Sequence, residues 1–463
     1  MGRLFIFCLC ALASAQGLCS QQAYVECWVR TKCSGAGFPA LLTNKDWSSG
    51  KVHDYTTHHA YGSSRTSGKL RGYAFALQPN GSWTFNLGDG KSRIDYRPTA
   101  TRQPVNDGKQ HMLVASLDAT RKECRLYYDG QNVAIYSTAG FGDTASGTAT
   151  KKGDGVTAVQ RKVASSDEAV ALAWREKTGQ VVRNGLAATH VDTVRVLAWN
   201  IWHGGRRDGN EVGIQKTVEA IKDSAADVIC MQETYGSGPA IADALGYYFY
   251  LRSTNLSLMS RYPIRETFDL YQSFRFGGAA VELSTGQRIK FFSLWINHLP
   301  SIGAQMKADD TTADSLAAAD DKTRGREIRG ILQALAPHTK TADATPVVVA
   351  GDFNSPSHLD WAEGTADRHK GLVVSWPVST AMARAGYADT FRAVHPDPAK
   401  VVARTWSPRF TASYQMRIDY IYCKGRSLRA KAGRMLDNHA QRWPSDHAAV
   451  VVELAVATTQ PRK

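Results

Sequence analysis

Three short motifs near the end of the chain place carboxylates, an amide and an imidazole where predicted strands begin or end. They are Gly351-Asp352-Phe353-Asn354, Arg417-Ile418-Asp419-Tyr420 and Ser445-Asp446-His447. A hard divalent cation takes oxygen ligands, and a carboxylate bonded to an imidazole fixes its tautomer. A bound cation also makes a water molecule easier to deprotonate. This combination of groups predicts metal-assisted hydrolysis of a phosphodiester.

Polar residues further upstream follow predicted strands in the same manner. Asn200 closes an apolar run that begins at Leu197, Glu233 closes one that begins at Val228, and His298 follows Asn297 at the end of a third. Each motif alone is weak evidence, since a glutamate after a strand is usually solvated and Asp-x-Asn is a common turn. Their recurrence at strand ends between residues 197 and 447 favours one shared site.

Short apolar runs alternate with helical stretches from Val194 onward, which is typical of an α/β domain. The predicted strands are 194–199, 228–232, 289–297, 346–351, 418–423 and 448–454, and the predicted helices are 213–224 and 323–336. We assign residues 193–457 to this domain, a length that single large domains reach.

With these motifs in this order, the sequence resembles the endonuclease/exonuclease/phosphatase superfamily. Its members include DNase I-like nucleases, neutral sphingomyelinases and inositol polyphosphate phosphatases. The resemblance implies a four-layer αββα sandwich of DNase I-like type, with the site at the strand ends of one edge. Asn297-His298-Leu299 is similar to the nuclease, sphingomyelinase and phosphatase branches and unlike the abasic-site endonuclease branch, which usually has a tyrosine near this point.

The resemblance and the side-chain chemistry together imply the roles of the acids and amides. Glu233 is expected to bind the metal together with Asp446, and Asn200 is expected to be a further ligand or to donate its amide to the phosphate. Asp352 is expected to orient or deprotonate the attacking water, and Asn354 to donate to the phosphoryl oxygens in the transition state. The implied cofactor is Mg²⁺ or Mn²⁺, with Ca²⁺ as a third candidate.

Two histidines are expected to act on the phosphate. His298 and His447 would flank it as hydrogen-bond donors or general acid and base, and Asp419 would hold His447 in one tautomer. Ordinary surface or capping roles are expected for His203, His338, His358, His395 and His439. Trp199, Trp202, Trp295, Trp361 and Trp376 have types suited to stacking on a base or sugar, although tryptophans near strand ends are more often part of the core.

The first 15 residues have the pattern of a secretory signal peptide. Arg3 precedes an apolar run, and Ala13-Ser14-Ala15 offers a cleavage site. The run has about a dozen residues, whereas a membrane-spanning helix needs about 20. We therefore expect a secreted protein, periplasmic if the source is bacterial, with no transmembrane segment.

Cysteines and glycosylation sequons add expectations for an exported chain. Four cysteines could form disulfides in three alternative pairings. These cysteines are Cys19, Cys27, Cys33 and Cys124. Cys230 and Cys423 lie in apolar runs and are expected to be buried thiols. Asn80 and Asn255 begin Asn-x-Ser sequons, which matter in a eukaryote.

Residues 22 to about 140 show period-2 alternation broken by turn residues, which predicts an antiparallel β-sandwich, and we assign residues 20–179 to this domain. Asp129-Gly130 suits a hairpin turn, Ser165 and Glu168 have capping-box spacing, and Gly179 suits a helix end. This region resembles laminin-G-like or concanavalin-type jelly rolls. The resemblance rests on Val25-Glu26-Cys27-Trp28-Val29, Leu42-Thr43-Asn44-Lys45-Asp46-Trp47, Asn86-Leu87-Gly88-Asp89-Gly90 and Leu126-Tyr127-Tyr128-Asp129-Gly130. It implies an all-β jelly-roll sandwich that binds a glycan or an extracellular partner, joined to the second domain by a linker at 180–192.

The net charge of +14 lies mostly in the first 191 residues, away from the predicted site. A basic stretch from Arg404 to Arg442 does lie near the motifs, and a basic rim would favour a polyanionic substrate. A solvated basic face without a partner explains that stretch equally well.

The sequence thus predicts a secreted, divalent-metal-dependent phosphoesterase that hydrolyses phosphodiester bonds in nucleic acid or another organophosphate. Its lectin-like domain would localise it. The alternatives are a phospholipid (sphingomyelinase-like) or inositol phosphate esterase and, from another class, a non-catalytic protein that binds a glycan or a partner.

Overall fold

The structure is a computed structural model that describes residues 22–45, 71–90, 92–144 and 146–458. The predicted signal peptide and Cys19 lie outside the described residues. The strands are β1 (Ala23–Val29), β2 (Ala40–Thr43), β3 (Gly72–Leu77), β4 (Trp83–Gly88), β5 (Arg93–Tyr96), β6 (His111–Asp118), β7 (Glu123–Tyr128), β8 (Gln131–Ser137), β9 (Lys151–Lys152), β10 (Val156–Arg161), β11 (Thr193–Asn200), β12 (Val228–Gln232), β13 (Tyr248–Leu251), β14 (Ser257–Ser260), β15 (Ile264–Phe268), β16 (Phe276–Ser284), β17 (Gln287–Trp295), β18 (Val347–Asp352), β19 (Ala388–Asp389), β20 (Asp419–Lys424), β21 (Leu428–Leu436) and β22 (Ala449–Val456). The helices are α1 (Asp167–Thr178), α2 (Asn210–Ser224), α3 (Gly238–Leu245), α4 (Ile302–Gln305), α5 (Ala313–Asp320), α6 (Arg326–Thr339), α7 (Pro377–Arg384) and α8 (Thr390–Val394), with 3₁₀ turns at His203–Gly205 and Glu363–His369 and a π-helical turn at Asp321–Gly325.

The second domain consists of two sheets packed face to face with helices on both outer faces. Its strands follow the order β13-β14-β12-β11-β22-β21 in one sheet and β15-β16-β17-β18-β20-β19 in the other. Along β11, Val194 and Val196 pack between the sheets, while Leu197 and Trp199 belong to the cluster that includes α2 and α3. This alternation is the period of a strand buried on both faces. The arrangement is the four-layer αββα sandwich that the sequence predicts.

Helices α6 and α7 cover the outer face of the sheet that contains β17 and β18. Ile328, Ile331 and Leu335 recur on one side of α6 and pack with Phe292 and Val349. Each such side chain contributes about 1.5–3 kcal/mol when it is fully buried. Helix packing on this face therefore fixes the positions of β17 and β18, whose ends carry catalytic candidates.

Strand pairing brings the polar strand ends to one edge. Strand β18 is antiparallel to β20, so that Asp352 lies opposite Asp419, and β11 is parallel to β12, so that Asn200 lies opposite Gln232, next to Glu233. Gly351 is required just before Asp352, since it has φ +147° and a Cβ would lie 2.2 Å from the Leu294 carbonyl oxygen. The sheet register, not the loops, thus sets the first distances within the site.

The first domain has two antiparallel sheets, with orders β10-β1-β6-β7-β8 and β5-β4-β3-β2-β9. Phe75, Trp83 and Phe85 of one sheet pack in the same cluster as Leu113 and Leu126 of the other. The predicted hairpin at Asp129-Gly130 is confirmed, with φ of 49° and 80° at these two residues. The two antiparallel sheets agree with the predicted β-sandwich architecture.

Helix α1 corrects one detail of the prediction. Ser166, not Ser165, is the N-cap, and its hydroxyl accepts a hydrogen bond from the Ala169 N–H at 3.2 Å. The Ser165 N–H instead donates to Ser116, which holds it against the sandwich. Gly179 ends the helix with φ 74°, as predicted.

The two domains share one sheet. Strand β8 pairs in parallel with β13. This pairing joins the β10-β1-β6-β7-β8 sheet of the first domain to the β13-β14-β12-β11-β22-β21 sheet of the second, and the described strands form a single eleven-stranded sheet. Side chains reinforce the junction, because Thr267 donates to Glu123 at 2.6 Å and Gln103 donates to Asp243 at 2.8 Å. The segment 180–192 therefore runs beside a direct β contact and is not the sole connection between the domains.

Burial of Cys230 and Cys423 is confirmed. Cys27 and Cys124 are buried too, whereas Cys33 is exposed. In the part of the chain that the structure describes, no helix combines the length and apolarity that a bilayer crossing requires.

Candidate active site

The predicted residues converge on one cavity of about 630 Å³. Those that line it are Asn200, Glu233, His298, Asp352, Asn354, Asp446 and His447. Asp419 lies behind His447 and is fully buried. All eight candidates from the sequence thus belong to one site.

Glu233 is held by hydrogen bonds in a strained backbone conformation. It has φ 55°, which is uncommon for a residue other than glycine and recurs at functional sites. Its N–H donates to Asn255 Oδ1 at 2.9 Å, and its carboxylate accepts from Asn200 Nδ2 at 3.2 Å and from the His203 N–H at 2.9 Å. These contacts fix both carboxylate oxygens toward the cavity.

Asn255 supports Glu233 and is not an accessible glycosylation site. It is fully buried, and its amide also donates to the Phe274 carbonyl at 2.9 Å. The sequon interpretation of Asn255 is therefore wrong for the folded protein. No local pattern indicates this role, because the residue that Asn255 supports is 22 positions away.

We expect Asn255→Ala to lower the free energy of unfolding by about 1–3 kcal/mol, because it leaves the Glu233 N–H buried without an acceptor. Urea denaturation measures this loss. The matched control is Asn438→Ala at an exposed asparagine, which should change stability by less than about 0.5 kcal/mol. Equal losses in the two variants would contradict this role of Asn255.

Asn200 orients two carboxylates. Its Nδ2 lies 3.2 Å from both Glu233 Oε1 and Asp352 Oδ2, and its Oδ1 accepts from the Trp202 N–H at 3.0 Å. The amide nitrogen, not the oxygen, thus faces the acids. This placement differs from the predicted role of Asn200 as a metal ligand.

Asp352 is buried among donors. Its carboxylate accepts from the Asn354 N–H at 2.9 Å and from Asn354 Nδ2 at 3.1 Å, and lies 3.8 Å from His447 Nε2. Burial raises the pKa of Asp352; His447 opposes this shift and Asp419 adds to it. A carboxylate with a raised pKa accepts a proton from water more readily than an ordinary aspartate does.

The hydrogen bonds of Asn354 differ from those expected of a donor to the phosphate. Its amide nitrogen already donates to Asp352 and to the Ile296 carbonyl, at 3.1 and 2.9 Å. Both amide hydrogens are used in this structure, so Asn354 fixes Asp352 against β17.

His447 and Asp419 form the predicted pair. His447 Nδ1 lies 2.9 Å from Asp419 Oδ2, and the Asp419 N–H donates to Thr405 Oγ1 at 3.1 Å. Burial acts to lower the pKa of His447, but Asp419 and Asp352 more than offset it and raise that pKa well above the usual value. Since Nδ1 faces Asp419, the Nε2–H of the imidazolium points to Asp352 and the cavity.

His298 lies on another wall and has the opposite electrostatics. Burial lowers its pKa, and Arg324 and Arg275 lower it further, which favours the neutral imidazole. Arg324, which no sequence motif indicates, donates to the carbonyls of His298 at 2.7 Å and Pro300 at 2.6 Å. This buried arginine fixes the loop that carries His298.

The carboxylates of Glu233 and Asp446 fit a divalent cation. Asp446 Oδ1 is buried without a hydrogen-bond partner. Burial raises the pKa of Asp446 to about 6; His447 opposes this shift, and the nearby Glu233 carboxylate adds to it. Two close acids with an oxygen left unbonded are what a hard cation stabilises.

A second set of groups is also close enough to share an ion. Asp352, Asp419 and His447 bring ligand atoms within 4.8 Å of one another. There, however, the imidazole already bonds Asp419, and Mg²⁺ prefers oxygen ligands. The carboxylates of Glu233 and Asp446 therefore match such a cation better, and the trio is suited to proton transfer and hydrogen bonding.

One more histidine and two tryptophans also line the cavity. His203, for which an ordinary role was expected, lines the cavity with Nε2 3.7 Å from Glu233 Oε2. Trp202 and Trp295 line it too, whereas Trp199, Trp361 and Trp376 are buried in the core. Trp202 and His203 both have positive φ, which turns them inward, and nothing in the local pattern indicates this turn.

The basic stretch from Arg404 to Arg442 divides in the structure. Arg417 is 1% exposed and pairs with Asp360 and Asp389, so its role is structural. Arg409 and Arg442 both contact Asp208, and Arg409 lies over the ring of Trp202. Arg409 thus reaches the edge of the cavity through Trp202.

A comparison with family models matches residues 197–447 to the Endonuclease/Exonuclease/phosphatase family. The chain belongs to this family. The matched span contains all eight candidate residues, and members of the family are metal-dependent phosphoester hydrolases, typically with Mg²⁺. This protein is accordingly a metal-dependent hydrolase of phosphoric ester bonds.

Individual proteins are also similar. The uncharacterized protein F14F9.5 of Caenorhabditis elegans is 28% identical over 288 residues, which cover 56% of this chain and 90% of that protein. Among solved structures, truncated C. elegans TDP2 is 15% identical with a TM-score of 0.40, covering 57% of this chain and 98% of that one. The human nocturnin catalytic domain is 16% identical with a TM-score of 0.39, covering 58% of this chain and 96% of that one.

Proposed function

We propose that this protein hydrolyses phosphodiester bonds with the help of Mg²⁺ or Mn²⁺. The observation that carries the proposal is that His447, hydrogen-bonded to the buried Asp419, lies 3.8 Å from Asp352 in the cavity that Glu233 and Asp446 also line. A proton acceptor, a cationic donor and a pair of metal-binding carboxylates are the groups that this hydrolysis needs.

Each residue has a defined task in this proposal. Asp352 accepts the proton of the attacking water, and the Nε2–H of His447 donates to a phosphoryl oxygen as negative charge develops there. Asp419 keeps His447 charged and oriented. Glu233 and Asp446 would hold the cation, which when bound polarises the phosphate and stabilises its charge. His298 offers a second, neutral hydrogen-bonding group from its own wall.

A diester is favoured over a monoester by the shape of the cavity. It extends from the catalytic groups to Trp202 and also to Trp295, so it offers surface to two substituents of the phosphate. A terminal phosphate has only one such substituent and would leave part of this surface without contact.

The test is hydrolysis of bis-p-nitrophenyl phosphate by the full chain. We expect EDTA to abolish turnover and added Mg²⁺ or Mn²⁺ to restore it, and Glu233→Gln to raise the metal concentration needed for half-maximal rate by about tenfold or more. Glu211→Gln, on the exposed surface of α2, is the matched control. A wild-type protein without metal-dependent turnover would refute the proposal and favour the binding-protein alternative.

Export and localisation are further parts of the proposal. The signal-peptide pattern of residues 1–15 supports secretion. The two antiparallel sheets of residues 22–161 support kinship with laminin-G-like or concanavalin-type domains that bind a glycan or an extracellular partner. Mass spectrometry of the mature protein tests the first point, since cleavage after Ala15 gives an N-terminus at Gln16.

A further inference from the structure

Two exposed phenylalanines stand beside the catalytic cavity. Phe410 is 43% exposed and Phe274 is 38% exposed, and among the described residues they are the aromatic members of the exposed large hydrophobic side chains. Each meets a cavity-lining tryptophan edge to face. The ring centroids are 5.6 Å apart for Phe410 and Trp202 and 5.7 Å apart for Phe274 and Trp295. The same arrangement therefore occurs twice around one site.

Guanidinium groups complete both arrangements. Arg207 and Arg409 lie over the ring of Trp202, 4.5 and 5.2 Å from its centroid. Arg275 lies 4.8 Å from the centroid of Trp295. We call Phe410, Trp202, Arg207 and Arg409 the first aromatic cluster, and Phe274, Trp295 and Arg275 the second aromatic cluster.

Each cluster adjoins one of the two catalytic histidines. Trp406 connects the first cluster to His447, since its ring lies 6.1 Å from Phe410 and 5.1 Å from His447. In the second cluster, the ring of Trp295 lies 5.9 Å from His298. A phosphate between the histidines would thus have one cluster near each.

Positive charge exceeds negative charge beside the first cluster. The buried carboxylate of Asp208 contacts Lys216 at 3.0 Å, Arg409 at 3.0 Å and Arg442. Three cations on one acid leave net positive charge, and Arg442 is 61% exposed and open to a ligand. An anionic group next to the first cluster would be attracted to it.

The second cluster holds an unused donor. Arg275 Nη1 is buried without a hydrogen-bond partner, and the nearest carboxylate that pairs with this arginine is that of Glu327, at 3.7 Å. Buried donors are nearly always bonded, so one left unbonded beside a catalytic cavity points to a ligand.

We propose that the two clusters bind the nucleotides on either side of the scissile phosphate of a single-stranded nucleic acid. One base stacks on Phe410 and another on Phe274, while the arginines contact the neighbouring phosphates. This inference rests on the proposed phosphodiesterase function and names its substrate class. Bases in a duplex have both faces covered, so exposed rings select unpaired strands.

A lipid surface is the competing ligand, because Leu299 beside His298 is exposed as well. The guanidinium groups over both tryptophans, the excess charge around Asp208 and the paired arrangement favour a chain of alternating rings and phosphates. A membrane-inserting surface would instead need one continuous apolar patch.

The experiment compares Phe410→Ala, Phe274→Ala and the double variant with the wild type. The control is Val163→Ala, an exposed apolar residue of the first domain. The substrates are DNA and RNA decamers, the duplex of the same DNA sequence, and bis-p-nitrophenyl phosphate. Binding of a fluorescent decamer is followed by anisotropy, independently of turnover.

We expect the wild type to prefer single strands, and each substitution to raise the KM and Kd for the decamer by about tenfold, with the double variant near the product. The ratio of decamer to bis-p-nitrophenyl phosphate kcat/KM should fall with each ring removed. Val163→Ala should match the wild type.

Three results would overturn the inference. Wild-type decamer binding that both substitutions leave unchanged would show that the rings do not hold bases. Equal cleavage of duplex and single strands would remove the selectivity. Binding to sphingomyelin–phosphatidylserine vesicles that is lost in the variants, while decamer binding persists, would make the clusters a membrane surface. In each case turnover of bis-p-nitrophenyl phosphate would still support the proposed function.

Discussion

Replacing His447 by alanine is expected to lower kcat for bis-p-nitrophenyl phosphate by about 10²–10⁴-fold, the usual contribution of a positioned acid–base group. The reason is twofold. The cationic donor to the phosphate is lost, and Asp352 loses its neighbour 3.8 Å away. Steady-state kinetics at saturating metal measures the effect.

Two companion variants make this result interpretable. Removing the buried imidazolium next to two acids also lowers stability. His447→Gln keeps a polar amide at the site, so its kcat distinguishes lost chemistry from misfolding. His439→Ala is the control, since that histidine pairs with Glu219 away from the cavity and should retain activity. Near-wild-type kcat in a folded His447→Ala protein would contradict the assigned role.

Asp352→Asn is expected to reduce turnover by a comparable factor, about 10²–10⁴-fold, while the fold is retained. The amide has nearly the shape of the carboxylate but cannot accept a proton from water. Circular dichroism checks the fold, and kcat at saturating Mg²⁺ checks the chemistry.

Asp397→Asn is the matched control, at an aspartate that pairs with Lys400 on the surface. It should leave kcat unchanged. Full turnover in Asp352→Asn at saturating metal would show that another group takes the proton.

The strand ends of the catalytic domain could be predicted because the local pattern determines them. The apolar run Val228–Gln232 is a strand with the bounds that the sequence indicates, and Glu233 follows it. Strands buried on both faces read as continuous apolar runs, so the first polar residue marks their end. The register of the paired strands then brings these polar ends together, as it places Asp352 of β18 opposite Asp419 of β20.

Pairings between distant segments could not be predicted in this way. Tyr250 of β13 pairs with Ile135 of β8, and no local pattern relates residues so far apart in different domains. Ser165 and Ser166 are equivalent by type, and only the contact of Ser165 with Ser116 decides which one caps α1. Tertiary contacts decide between such local alternatives.

The finer roles of the amides were also inaccessible from sequence. Asn200 and Asn354 were expected to contact metal and phosphate, but each directs its amide nitrogen to Asp352. Which end of an amide faces a site depends on its other partners, here the Trp202 N–H and the Ile296 carbonyl. Residue type gives the candidates, and the hydrogen-bond network assigns their tasks.

The position of a bound metal ion tests the proposed mechanism most directly. An anomalous difference map from a crystal soaked in MnCl₂ should show one peak between the carboxylates of Glu233 and Asp446, and Asp446→Asn should weaken it. A peak held instead by Asp352, Asp419 and His447, or no peak in the cavity, would contradict the account.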